Sequence, residues 1–214
     1  MAQPIPDIQF KKLLSSSPFS VIYLVSRDDA PMVMKVHHDY WPDPFASRNR
    51  ENNIFVCESQ AYRRLEAKGL CDRGIVPRFY GTLEKIDPTL HQPYLDMFLQ
   101  DELAPNAMLT FENYTKDSME WLIKGIADIH DALIEHGDPH PRNMMVVGGS
   151  PGRAGWIDFG RAQTFDTLTP LNREWMESER RLVDEIGRDM MIPPAKAKAT
   201  TTPDSLHYCV DIHS

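Results

Sequence analysis

The chain has 214 residues, 42% of them hydrophobic, which is enough for one large domain or two small lobes with a core. Its net charge of −8 and its pI near 5.4 argue against a protein that binds nucleic acid through a broad basic face. The three cysteines are odd in number and widely spaced, so neither a disulfide framework nor a zinc knuckle is expected.

The first residues, MAQPIPDIQF, lack a basic stretch followed by an apolar one. The longest apolar run, VIYLV, is far too short to span a bilayer. We therefore expect a cytosolic or nuclear protein that does not enter a membrane.

The next segments predict two strands and a helix. The runs FSVIYLV and PMVMKVH flank the turn-like SRDDA and predict an antiparallel strand pair, with Lys35 in the second strand. Apolar residues then recur at helical spacing from Ile54 to Leu65, and Gly69 is a natural end for this helix. Glu58 lies within it.

The segments IVPRFYGTLEKI and YLDMFLQDEL predict two more strands, followed by a connection through Ala104 and Pro105. This connection is a natural boundary between two lobes. On that interpretation residues 1–101 form an N-lobe of one antiparallel sheet and one helix, and residues 102–192 form a helix-rich C-lobe. Residues 193–214 begin with a low-complexity stretch and are expected to form a flexible tail.

The second half predicts two helices around a hairpin. KDSMEWLIKGIADIHDALIEHG has one apolar stripe from Met119 to Ile134, ends at Gly137, and carries Asp117 and Glu120 at the spacing of a capping box. MMVV and GWIDF flank a glycine-rich turn and predict a hairpin. The last helix, NREWMESERRLVDEIGRDMM, has a predicted buried face formed by Trp175, Leu182, Val183 and Ile186.

Side chains suited to phosphoryl transfer lie in and around these elements. Asp138 and Asn143 lie in the loop before the hairpin, and Asp158 lies at its far end. Asn143 and Asp158 offer the hard oxygen ligands that Mg²⁺ prefers. Lys35 supplies a cation for phosphates, and Glu58 can hold that lysine by an ion pair. Asp138 can accept the proton of an acceptor hydroxyl.

The same residues resemble motifs of the protein-kinase-like superfamily. HGDPHPRN, which contains Asp138 and Asn143, resembles the H-x-D-x-x-x-x-N catalytic loop, and the DFG tripeptide at Asp158 resembles the magnesium-binding motif. Lys35 in VMKV and Glu58 in CESQAY are similar to the strand lysine and the helix glutamate. The loop is similar in detail to that of aminoglycoside and choline phosphotransferases. The chain is similar in size to RIO-like atypical kinases and resembles small kinase-like proteins of filamentous fungi.

The resemblance implies an α+β bilobal protein-kinase-like fold with a truncated C-lobe, which binds ATP and Mg²⁺ between its lobes. It implies an ATP- and magnesium-dependent phosphotransferase that transfers the γ-phosphate to a hydroxyl of a protein or a small molecule. Catalysis is then assigned to Asp138, Lys35 and Asn143. The magnesium ligands are Asn143 and Asp158, and Lys35 and Glu58 belong to the nucleotide site.

The sequence departs from the family in two places. Ser15, Ser17 and Ser20 stand where the glycines of the phosphate-covering loop are expected; their hydroxyls can contact phosphate, but a Cβ keeps the amides farther away. The C-lobe is also short, so the acceptor site is either open or completed by a protein partner. These departures favour an alternative, a pseudokinase that acts as a protein-interaction module with little or no catalysis.

A third hypothesis is a zinc hydrolase, because His136, Asp138 and His140 alternate as HxDxH. No second His/Asp cluster at ligand spacing supplies the remaining coordination. This hypothesis therefore ranks below the other two.

Overall fold

The structure is a computed structural model that describes residues 8–38, 50–84, 109, 113–146 and 153–191. These residues form a mixed α+β architecture, as the sequence predicts. The predicted strand YLDMFLQDEL, the predicted lobe boundary and the predicted tail lie outside the described residues.

The first part of the described chain is an antiparallel sheet in the order β1-β2-β3. Its strands are β1 (Gln9–Ser16), β2 (Ser20–Arg27) and β3 (Ala30–His37). Asp28 and Asp29 form the tight turn between β2 and β3, and both have positive φ, as hairpin turns that follow the twist of a sheet require. The predicted strand pair is confirmed, and β1 extends it.

The two faces of this sheet differ in character. One face carries a small cluster of buried residues, in which the rings of Phe10 and Tyr23 meet edge to face at 5.2 Å. Met34 packs against the cluster. Since side chains alternate along a strand, Lys35 projects from the opposite face.

Helix α1 (Ile54–Ala67) begins at Asn53, whose side chain accepts a hydrogen bond from the amide of Val56. This cap explains why the helix starts at Ile54. Before the cap, Glu51 forms two backbone hydrogen bonds with the side chain of Gln163, each at 2.9 Å. Its amide donates to the Gln163 Oε1, and its carbonyl accepts from the Gln163 Nε2. The buried side of α1 includes Cys57, Ala61 and Leu65, which recur at the helical spacing that the sequence shows.

Helix α2 (Lys116–Asp131) has a capping box, but not the predicted one. The box is formed by Thr115 and Ser118, whose side chains bond to each other's backbone amides. The prediction from Asp117 and Glu120 was wrong because the helix begins two residues earlier, where the hydroxyls of Thr115 and Ser118 accept each other's backbone amides.

The end of α2 was also predicted too late. Leu133 has a φ of 60°, a left-handed conformation that ends the helix well before Gly137. Ile134–Glu135 then forms a short strand, β4, which pairs with β7 (Gln163–Thr164). Ile134 is buried as predicted, but it is buried by strand pairing instead of by a helix face.

The predicted hairpin is confirmed as β5 (Met144–Val146) paired with β6 (Ala154–Trp156). The strand predicted in IVPRFYGTLEKI is wrong over its described residues, 75–84, which form bends and irregular backbone. Pro77 lacks an amide donor, and Gly81 has a φ of 126°, so neither suits a strand. A single carbonyl there, that of Ile75, accepts a hydrogen bond from β6.

Helix α3 (Pro170–Met190) packs against α2 and completes the main core around Trp156 and Phe159. Of its predicted buried residues, Val183 is fully buried and the others are partly buried. Glu179, a charged residue, is buried on the same helix. Within the described part of the chain, no helix combines the length and the apolar character that crossing a bilayer requires.

Candidate active site

Lys35 lies where the sheet, α1 and the segment after β6 meet. Its Nζ is 2.9 Å from Glu58 Oε2 and 2.7 Å from Asp158 Oδ1. The predicted Lys35–Glu58 ion pair is therefore present, and the structure adds Asp158, 123 residues away in sequence, to the same junction.

The opposite charges of Lys35, Glu58 and Asp158, which together form the Lys35 junction, stabilise one another. Burial by itself lowers the pKa of Lys35, but Glu58 and Asp158 more than offset it, and the pKa lies above its ordinary value. Burial by itself raises the pKa of Asp158, but the ammonium of Lys35 and the amide of Gly160 hold that pKa below its ordinary value. Both side chains are therefore charged at neutral pH.

The Asp-Phe-Gly segment places its three residues in three different environments. Asp158 has a φ of 61°, and its carboxylate is about half exposed in the junction. Phe159 is fully buried between Tyr62 of α1 and His136. At Gly160, a Cβ would lie 2.9 Å from a side-chain carbon of Ile54, so glycine permits the close approach of α1.

His136 anchors the loop that contains Asp138. It is fully buried, its Nε2 lies 3.1 Å from the carbonyl of Ile157, and its Nδ1 accepts the amide of Asp138 at 3.3 Å. This pair of contacts requires the neutral ring with the proton on Nε2. Burial lowers the pKa of His136, which agrees with a neutral ring. Because both nitrogens are used within the protein, His136 is not available as a zinc ligand.

The side chain of Asn143 is hydrogen-bonded to Asp138. The amide nitrogen of the Asn143 side chain donates to the backbone carbonyl of Asp138 at 2.8 Å and to its carboxylate at 3.0 Å. Arg142, an exposed residue, holds both oxygens of the same carboxylate at 2.6 and 2.7 Å. The carboxylate of Asp138 is therefore fixed in position by two neighbours on its own loop.

Asn143 and Asp158 lie at the same end of the β5–β6 hairpin. Asn143 immediately precedes β5, Asp158 comes two residues after the end of β6, and the amide of Ile157 donates to the carbonyl of Asn143 at 3.0 Å. Since antiparallel partners end side by side, the two predicted magnesium ligands are close neighbours across the hairpin. Among the described residues, no group of three or more His, Cys, Asp or Glu side chains is arranged to hold a metal ion.

The three serines predicted to contact nucleotide lie in the β1–β2 hairpin. Ser15 pairs with Ile22, which pairs with Lys35 on the other side, so Ser15 and Lys35 share a row across the sheet. The hydroxyl of Ser17 accepts the amides of Phe19 and Ser20 at 3.2 and 3.0 Å. These are the turn amides that a phosphate-covering loop would offer to its ligand, and Ser17 already uses them.

No protein-family model matches this sequence, and no curated protein sequence matches it significantly. The resemblance to protein-kinase-like enzymes consequently depends on the motif residues. Of these, Lys35 contacts both Glu58 and Asp158, and Asn143 is hydrogen-bonded to Asp138.

Two residues of this site were missed by the sequence analysis. His37, two residues after Lys35 on the same face of β3, has its Nε2 3.0 Å from Glu58 Oε2. Glu179 of α3 accepts the amides of His136 and Gly137 at 2.9 and 2.6 Å and so holds the start of the loop. The period-2 pattern of β3 could have indicated His37, whereas Glu179 resembles an ordinary solvent-facing carboxylate in the sequence.

Proposed function

We propose that this protein is an ATP- and Mg²⁺-dependent phosphotransferase with a bilobal protein-kinase-like fold, which transfers a phosphoryl group to a hydroxyl acceptor. The observation that carries the proposal is the position of Lys35 Nζ between Glu58 and Asp158, at 2.9 and 2.7 Å. A cation for the nucleotide phosphates and a carboxylate for the metal thereby lie at one point, as positioning and charge stabilisation in phosphoryl transfer require.

The residues present fit a magnesium ion. Asp158 is ionised and half exposed. Because the amide nitrogen of Asn143 is committed to Asp138, its Oδ1 is the side-chain atom left to bind a cation. Magnesium sites in nucleotide enzymes typically use one or two carboxylates together with phosphates and waters, so this donor set is sufficient. Bound magnesium would offset the charge of the phosphates.

Asp138 is the proposed base for the acceptor hydroxyl. Its carboxylate is mostly buried and is held by Arg142 and Asn143, so it is already oriented before a substrate binds. The proposed acceptor is a hydroxyl of a protein or of a small molecule, and a protein partner that helps to form the acceptor site belongs to the same proposal.

The first test is calorimetric titration of the full chain with ATP, with and without Mg²⁺. We expect saturable binding only with Mg²⁺, and affinity at least about tenfold weaker in Asp158→Asn, because a charge-assisted contact is worth roughly 1.5–3 kcal/mol. Asp131→Asn, at a carboxylate that is 80% exposed on the far end of α2, is the matched control and should bind as wild type does. Equal affinity in Asp158→Asn and wild type would rule out the proposed site.

The second candidate is a pseudokinase, and the bonds of Ser17 to the turn amides favour it. Replacing Ser17 with glycine frees the amides of Phe19 and Ser20. If the loss of these amides to Ser17 weakens nucleotide binding, Ser17→Gly should bind Mg-ATP about two- to tenfold more tightly than wild type. This factor corresponds to the net free energy of one hydrogen bond. Ser16→Gly, the same change one residue earlier, controls for hairpin flexibility. Unchanged affinity in Ser17→Gly would show that the turn amides do not limit nucleotide binding.

A further inference from the structure

A polar groove of about 430 Å³ lies on the outer side of α1, apart from the Lys35 junction. Its walls are formed by α1 and by the segment that begins at the end of β7; the lining residues are Gln60, Arg63, Arg64, Ala67, Thr164 and Asp166. Gln60 follows Glu58 by two residues, about 200° around a helix, so the groove and the junction occupy different sides of α1. Its volume falls within the roughly 300–1,000 Å³ of ligand sites.

The groove offers mostly hydrogen-bond donors. Arg63 and Arg64 contribute two guanidinium groups to it, and Gln60 contributes a carboxamide. The single carboxylate in its lining belongs to Asp166, which is 99% exposed and lies 3.5 Å from Arg64. An ion pair so exposed contributes little, and a bound anion can displace it. In a chain with a net charge of −8, two adjacent cations on one wall favour an anionic ligand.

The present partners of the two arginines orient their planes without using up their donors. Arg63 Nη2 donates to the hydroxyl of Thr82 at 2.6 Å, and Arg64 Nη1 donates to the carbonyl of Phe165 at 3.1 Å. A guanidinium has further N–H groups in the same plane, and these remain for a ligand. The side-chain oxygen of Thr164 is buried at the wall and has no hydrogen-bond partner among the described residues. Rotation about its χ1 angle would supply a hydroxyl donor to the groove.

We propose that this groove binds a phosphate monoester carried on a polypeptide, such as a phosphorylated serine or threonine side chain. A phosphate monoester has about two negative charges and three acceptor oxygens, and planar arginine donors match it better than they match a single carboxylate. The groove is open to solvent, so a polypeptide can continue on either side of the phosphate. Free phosphate shares the same chemistry, and the test below separates the two sources.

The test is titration of the full chain with a five-residue peptide that has a central phosphothreonine, with the unphosphorylated peptide and with inorganic phosphate. We expect saturable binding of the phosphopeptide, no binding of the unphosphorylated peptide, and at least about tenfold weaker binding of the phosphopeptide by the R63Q/R64Q variant. R173Q/R181Q, which removes two exposed arginines of α3, is the matched control and should bind within twofold of wild type. Thermal unfolding checks that each variant is folded.

Because Arg64 also bonds to the backbone, its replacement alone could loosen the segment after β7. The single replacement R63Q avoids this problem, because the described partner of Arg63 is a hydroxyl on the surface. It should weaken binding of the phosphopeptide by at least about threefold. Binding of inorganic phosphate as tight as that of the phosphopeptide would assign the groove to free phosphate and overturn the polypeptide source. Absence of saturable binding by any probe, or an equal loss in R173Q/R181Q, would overturn the site itself.

Discussion

Replacing Glu179 with leucine should lower the free energy of unfolding by about 3–5 kcal/mol, since it removes the buried acceptor of a charged hydrogen-bond network. The two carboxylate oxygens accept the amides of His136 and Gly137 at 2.9 and 2.6 Å, and one of them lies 2.9 Å from His130 Nε2. Leucine fills a similar volume but leaves these donors without a partner in a water-excluded place. Urea denaturation followed by circular dichroism measures the loss.

The control for this experiment is Glu177→Leu, two residues away on the exposed side of α3. It changes the same chemical group and should alter stability by no more than about 0.5 kcal/mol. Glu179→Gln should fall between the two, because one oxygen remains to accept an amide while the new NH₂ group meets donors. A loss below about 1 kcal/mol in Glu179→Leu would show that water reaches these amides and that the carboxylate is not needed.

Replacing Asp138 with asparagine should reduce Mg-ATP-dependent phosphoryl transfer by about 10²- to 10⁴-fold, the usual contribution of a positioned base. Mg-ATP affinity should change by less than about threefold, because Asp138 takes no part in the contacts of Lys35 with Glu58 and Asp158. The measurement is turnover with a hydroxyl acceptor identified by screening, or slow ATP hydrolysis if no acceptor is found. The split between a large effect on turnover and a small one on binding separates a base from a nucleotide ligand.

Asp131→Asn again serves as the control, since its carboxylate is 80% exposed and belongs to neither site. Arg142→Lys adds a second comparison, because it keeps a cation beside Asp138 while removing the planar group that now contacts both carboxylate oxygens. Turnover that survives Asp138→Asn while Asp158→Asn binds no nucleotide would place the base elsewhere. Turnover that survives both replacements would rule out the proposed site.

The parts of the fold with strong local signals were predictable. The β2–β3 pair has two runs of apolar and β-branched residues around an Asp-Asp turn, and α1 has an apolar stripe closed by Gly69. Residues 75–84 show the limit of such patterns, since Ile75 and Val76 are buried in a segment whose backbone is irregular and contains Pro77 and Gly81. The short strand β4 was hidden inside a helical pattern, because its pairing partner, β7, lies far along the chain.

The residues of the candidate site also differ in how far the sequence could predict them. Residue types at motif spacing pointed to Lys35, Glu58 and Asp158, and the structure brings these three into contact. Glu179 could not be found from sequence, since its function depends on tertiary packing of α3 beneath the loop. The bonds of Ser17 to turn amides were equally hidden, because they depend on the conformation of a turn.

The attachment of α1 has a mechanical consequence. The hydrogen bonds between Glu51 and Gln163 fasten the entry of α1 to β7, whereas Lys35 joins β3 to α1 through its ion pair with Glu58. Helix α1 should therefore travel with β7, and the sheet should rock about its contact with Glu58. Because ionic contacts weaken as salt screens them, such rocking should become faster at high ionic strength, while the Glu51–Gln163 attachment stays stiff.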